Sequence, residues 1–117
     1  MSPSFLPGVE RAWIPPEKLR DYVLSPQHPD GRHKARVFAS SLGIVQKDWE
    51  YLRDQLLAGV RSSPVLASET DLYGTHYEMS IDVLGRNGRT LPVTAAWLVA
   101  HEGDQRPRLI TAYIGRR

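Results

Sequence analysis

The feature that most constrains this chain is a pair of alternating runs separated by Gly85-Arg86-Asn87-Gly88-Arg89. From about His76 to Leu84, Tyr77, Met79, Ile81 and Val83 alternate with His76, Glu78, Ser80 and Asp82, and Leu91, Val93, Ala95, Trp97 and Val99 resume the period beyond the turn. A period of two buries one strand face and leaves the other to polar groups, and Asn-Gly favours a tight reversal. The two runs therefore predict a long antiparallel hairpin. After a turn at Glu102-Gly103-Asp104, Arg108 to Ile114 alternate again, with Ile110, Ala112 and Ile114 expected on one face and Leu109, Thr111 and Tyr113 on the other. Pro64 to Ala67 reads as a short edge strand, where proline is tolerated because one side is unpaired.

A sheet with one apolar face needs a cover, and the first half of the chain supplies it. Residues 1–15 read as an extended arm, broken by Pro3, Pro7, Gly8, Pro15 and Pro16 and anchored by Phe5, Leu6, Val9, Trp13 and Ile14. Pro15-Pro16 opens a short helix with Leu19, Tyr22 and Val23 inward, and Pro26 stops it. A second helix is expected over about 32–42, with Ala35, Phe38, Ala39 and Leu42 inward and Gly43 as its stop. A third covers about 47–60, with Trp49, Leu52, Leu56, Leu57 and Val60 at helical spacing. Helices followed by hairpin-linked strands predict an α+β fold, with about three helices packed on one face of an antiparallel sheet of about four strands. At 117 residues there is material for one core, read as an arm over 1–13 and a single domain over 14–117.

Composition removes several chemistries. Without cysteine there are no disulfides, thiolate zinc sites or thiol nucleophiles. The apolar runs are far shorter than the roughly 20 residues that cross a bilayer, and the N-terminus lacks a basic segment followed by an apolar one, so a cytoplasmic location without membrane contact is expected. The net charge of +2 conceals a strong asymmetry. Residues 62–85 carry Glu69, Asp71, Glu78 and Asp82 with no cation, between two basic ends. Were the fold to join Arg32–Arg36 to Arg106–Arg117, the local field would hold a phosphate despite the small total, and the alternative is ordinary solvated surface.

Among polar residues, His28 sits in the proline-framed loop Ser25-Pro26-Gln27-His28-Pro29-Asp30-Gly31, which suits either a general acid or base or a capping histidine. Lys34 lies beside the inward stripe of its helix, placed either to reach the sheet edge or to snorkel. Thr111 and Tyr113 share one strand face and either hold a phosphate or serve as ordinary strand formers. Trp97 shares the face of Leu91, Val93 and Ala95, so core packing is its default role. His33, His76 and His101 have no ligand-like spacing, and neither metal nor cofactor is expected.

The run from Ile14 to Phe38, then Leu42-Gly43, Asp48-Trp49-Glu50, Tyr73-Gly74 with Tyr77-Glu78, Gly85-x-Asn87-Gly88-Arg89, Trp97 and the closing Pro107-Arg108-Leu109-Ile110-Thr111-Ala112-Tyr113 resemble the bacterial domain-of-unknown-function family 6883 over roughly residues 14–114. That family is similar, in its order of elements and its Thr-Ala-Tyr ending, to the small metal-independent RNases of bacterial toxin systems that group with barnase, colicin and RelE-type nucleases. The chain departs from the pattern at Ile114, where a proline is expected. The resemblance implies a toxin-like ribonuclease with His28, Lys34, Thr111 and Tyr113 as catalytic groups, Arg32, Arg36 and Arg108 as substrate contacts and Trp97 as a wall or base-stacking platform. Its implied partners are RNA and a cognate antitoxin or immunity protein, and the chain is either free-standing or delivered as part of a larger toxin. The alternative is a non-enzymatic antitoxin, immunity or accessory domain, with the acidic block and hairpin as its interface. Oligomeric state stays open, with the edge near Pro64 and the arm as places for a second copy to pair.

Overall fold

The computed structural model describes residues 4–115, so Arg116 and Arg117 of the basic C-terminal segment lie outside the described residues. The elements follow the expected order: α1 (Pro16–Lys18) continued by a π-helical turn over Leu19–Val23, then α2 (Gly31–Leu42), α3 (Trp49–Val60), β1 (Val65–Thr70), β2 (Gly74–Leu84), β3 (Thr90–Ala100) and β4 (Arg108–Ile114). The four strands form one antiparallel sheet in the order β1-β2-β3-β4, which is the meander that hairpin connections dictate. The fold is α+β.

The alternation seen in the sequence sets the layers. Met79, Ile81, Val83, Val93, Ala95 and Trp97 are fully buried on one sheet face with Leu19, Val23, Phe38, Leu42, Leu52 and Leu56 from the helical half. Burial of each large apolar side chain contributes roughly 1.5–3 kcal/mol, so this shared interface accounts for most of the driving force. The opposite face carries His76, Glu78, Thr94, Ala96, Thr111 and Tyr113, placed together by register: Glu78 pairs with Ala96, Ala96 with Thr111 and Thr94 with Tyr113.

Three local features adjust the sequence reading. The hairpin pairs as far as Leu84 with Thr90, so Gly85–Arg89 forms the whole loop, longer than a two-residue turn. Asn87 fastens that loop to the end of α2, donating from its backbone and side chain to the carbonyls of Leu42 and Ser41. In β4 the register shifts opposite Ala96 and Trp97, leaving Ile110 as the extra residue of a bulge. Leu109 consequently turns into the core beside Trp97, away from the face of Thr111 and Tyr113 where strict alternation had placed it.

Residues 4–13 of the arm pack against both edges of the sheet, and its first three residues lie outside the described residues. Ser4 accepts from the Val65 N–H at 2.7 Å, and Trp13 extends the sheet beside β4 through Trp13 N–H to Pro107 O (2.9 Å) and Leu109 N–H to Trp13 O (3.1 Å). From Trp13 the chain passes directly into α1 and the π turn, which carries Tyr22 to the outer edge of β4. Among the described residues, no helix is long and apolar enough to cross a membrane.

Candidate functional site

The π turn is closed by the Leu24 N–H donating to the Leu19 carbonyl at 2.8 Å, a wider turn than the α-helix provides. Leu19, Val23 and Leu24 are buried, while Tyr22 remains half-buried at the surface. The first turn of α2 is packed against this segment at Gly31, which is buried. A Cβ at Gly31 would drive into the Tyr22 carbonyl group, so only glycine allows the two backbones to approach this closely. That approach sets Lys34, one turn further along α2, on the Tyr22 side chain.

Lys34 Nζ donates to the Tyr22 hydroxyl at 3.0 Å and lies 5.0 Å from the ring centroid. The donated hydrogen bond stabilises the phenolate and lowers the Tyr22 pKa below the ordinary phenol value; partial burial opposes the shift and the nearby Thr111 hydroxyl reinforces it. Thr111 Oγ1 is itself buried and finds no partner in hydrogen-bond geometry, which leaves an acceptor and donor unused beside the phenol. A folded-state pKa below the unfolded value means that this group's stabilising contribution is present above the unfolded phenol's titration and is lost as pH falls through the folded pKa. In an ultraviolet titration, the Tyr22 step, identified as the one missing from Tyr22→Phe, is expected to move to higher pH in Lys34→Ala. A Tyr22 step unmoved by that substitution would contradict the assignment.

His28 completes the corner, with its ring edge-on to Tyr22 at a centroid separation of 4.8 Å. Its Nδ1 accepts the N–H groups of Asp30 and Gly31, both at 3.0 Å, so it caps the start of α2. Two donors aimed at Nδ1 place the proton of the neutral ring on Nε2, and protonating Nδ1 would sacrifice both cap bonds. The capping alternative considered from sequence is thus realised, and what His28 offers outward is an Nε2–H donor. His28→Ala should cost about 1 kcal/mol in urea unfolding, whereas His28→Asn, which keeps a cap acceptor, should recover most of it.

The other expected site residues divide. Tyr113 reaches across β3 and donates to Glu78 Oε1 at 3.1 Å, passing over Ala96, the small residue that pairs with both Glu78 and Thr111. Arg32 and Arg36 line a groove on the flank of α2 with Leu24, Pro26 and Lys47, while Arg108 lines a different recess with Trp13, Asp104 and Arg106. The two linings share no residue, so Arg32 and Arg36 stand in one recess and Arg108 in another. Trp97 is 0% exposed and packed in the core, which corrects its expected role as a stacking platform, because a base would have to open the core to reach it. Two residues of the site were missed in sequence. Helical spacing places Tyr22 in an apolar stripe, and Glu78 is one polar position among several; a hydroxyl within the stripe is the hint that the sequence offers. Among the described residues, no group of three or more His, Asp or Glu is placed to hold a metal ion.

The arrangement joins a polarised phenol, an ammonium, a buried hydroxyl and an imidazole N–H at one sheet edge, next to a carboxylate–tyrosine pair on the open face. Such a set can bind a phosphate and exchange a proton with a hydroxyl. No curated protein matches this sequence. Among solved structures, a chain of a contact-dependent growth inhibition toxin–immunity protein complex from Klebsiella pneumoniae 342 has the same fold, with a TM-score of 0.70 and 14% identity over 96% of this chain and 100% of that one. Residues 5–116 match the family described as Domain of unknown function (DUF6883), and the protein belongs to that family.

Proposed function

We propose that this chain is a toxin-like, metal-independent endoribonuclease of a bacterial toxin system. The observation that carries the reading is the convergence of Tyr22, Lys34 and His28 with Thr111, from three separate parts of the chain, around a phenol whose proton is already loosened. The fold likeness to a chain from a toxin–immunity protein complex supports a place in such a system, as either the toxin or its partner. In the proposed reaction, the Tyr22 phenolate takes the proton of an RNA 2′-hydroxyl, and the freed oxygen attacks the adjacent phosphorus. The bond from phosphorus to the 5′-oxygen breaks, that oxygen takes a proton from solvent, and a 2′,3′-cyclic phosphate is left. Lys34 neutralises the charge that grows on the phosphate, Tyr113 and the His28 Nε2–H orient its non-bridging oxygens, and the buried Thr111 hydroxyl acts on the phosphate only through the Tyr22 phenol beside it. This places proton exchange on Tyr22 and not on His28, a catalytic group that the family resemblance implies, because the His28 Nδ1 is committed to the helix cap.

Purified protein should cleave transfer RNA or total RNA in EDTA, yield cyclic phosphate ends, and lose that activity in Tyr22→Phe. RNA left intact under these conditions would remove the reading. A second reading, an antitoxin or immunity domain, is favoured by a different observation: Leu66, Leu72 and Tyr73 are 63%, 92% and 75% exposed along the acidic β1–β2 side. Expression of the chain alone separates the two, since a ribonuclease should arrest growth and an immunity protein should be harmless.

A further inference from the structure

The groove beside α2 has no part in the chemistry above. It is an open cavity of about 460 Å³ lined by Leu24, Pro26, Ala35, Ala39, Val45 and Gln46, with Arg32, Arg36 and Lys47 around it. Arg32, Arg36 and Lys47 are exposed, none of the three forms an ion pair among the described residues, and no carboxylate lines the groove. By contrast, Arg20, Arg53, Arg86 and Arg106 all lie against aspartates. Three cations held together without counter-charge create a local positive potential despite the small net charge.

The spacing narrows the ligand. Arg32 and Arg36 are one helical turn apart on the same face, with side chains beginning about 5–6 Å from each other, close to the step between neighbouring phosphates in a single strand. Lys47 stands across the groove on the turn Gln46–Asp48, and the Gln46 side chain donates to the Arg20 carbonyl at 2.7 Å, tying that wall to the turn that carries Tyr22. No aromatic side chain lines the groove, so nothing there stacks a base. The loop over 25–30 lends Pro26 to the groove and His28 to the corner beside Tyr22, so a strand crossing that loop would touch both places.

We propose that this groove is a second, non-catalytic subsite for the phosphate backbone of single-stranded RNA, reading charge and not sequence. The inference rests on the ribonuclease reading for its ligand, and its test is independent of cleavage. The probe is a short single-stranded RNA with every 2′-hydroxyl methylated, which the proposed chemistry cannot cut. Binding by wild type should weaken with salt, and the triple variant Arg32→Ala, Arg36→Ala, Lys47→Ala should lose about tenfold in affinity and flatten the logarithmic salt slope by about 0.7 per lost contact, or about 2 in all. The change should be the same for strands of different sequence. Arg61→Ala with Arg89→Ala, removing two exposed cations from elsewhere, should leave affinity and slope unaltered. With cleavable RNA, the loss should fall on KM more than on kcat. Equal affinity and slope in the triple variant overturn the subsite and leave the groove to a protein partner, even if RNA is cleaved. Absence of wild-type binding to the probe overturns it too, whereas binding without cleavage defeats only the ribonuclease reading.

Discussion

Lys34→Ala is expected to lower RNA cleavage by about a hundredfold to a thousandfold with the chain still folded. Its ammonium makes two contributions that no neighbour duplicates: it donates to the Tyr22 hydroxyl at 3.0 Å and supplies the positive charge nearest the proposed phosphate position. Removing it raises the Tyr22 proton affinity and leaves the phosphorane charge uncompensated, so the loss should appear chiefly in kcat. Lys34→Arg provides a graded control, since the charge persists while the contact with the phenol is re-aimed. Lys34 is only half-buried and stands at the protein edge, so thermal unfolding should move little. Full cleavage activity in Lys34→Ala, or an activity loss matched by unfolding, would contradict the assignment.

Gly31→Ala is expected to be among the most damaging single-methyl changes in the protein, destabilising it by on the order of 3 kcal/mol, or roughly 15 °C in Tm. The new Cβ would overlap the Tyr22 carbonyl, and backbone on both sides leaves no flexible side chain to move aside. The clash can be relieved only by parting α2 from the π turn, which would also draw Lys34 off Tyr22 and loosen the cap made by His28. Stability and activity should therefore fall together. Gly88→Ala is the comparison: its φ is 86°, but nothing lies within 4 Å of the added carbon, so only the backbone penalty of about 1 kcal/mol applies. If the two substitutions cost the same, close backbone approach at Gly31 is not what organises the site.

How much of this was legible in the sequence depends on which interaction sets each feature. The strands were legible because alternation is local: Met79, Ile81 and Val83 must face one way whatever the rest of the chain does. The β4 bulge was not, because inserting Ile110 is decided by pairing with Ala96 and Trp97, and it reversed the expected side of Leu109 and left Ile110 outside the pairing. The default core role of Trp97 was right, whereas the platform role carried over from the family resemblance was not.

The site follows the same division. His28, Lys34 and Thr111 were singled out by residue type and by resemblance, and all three adjoin Tyr22, which was overlooked. A tyrosine at an inward helical position looks apolar until its hydroxyl's neighbours are known. Those neighbours come from a π turn, a glycine that admits backbone contact, and an edge strand far along the chain. The sequence by itself determined the α+β order, the hairpin and the buried face, since these follow from short-range periodicity and turn chemistry. Only the tertiary structure decided that the phenol would meet the ammonium, that His28 would spend one nitrogen on a cap, and that the arginines would part into separate grooves. Hydrogen bonds and charge proximity act over a few ångströms between residues distant in sequence, and that distance is absent from any one-dimensional pattern.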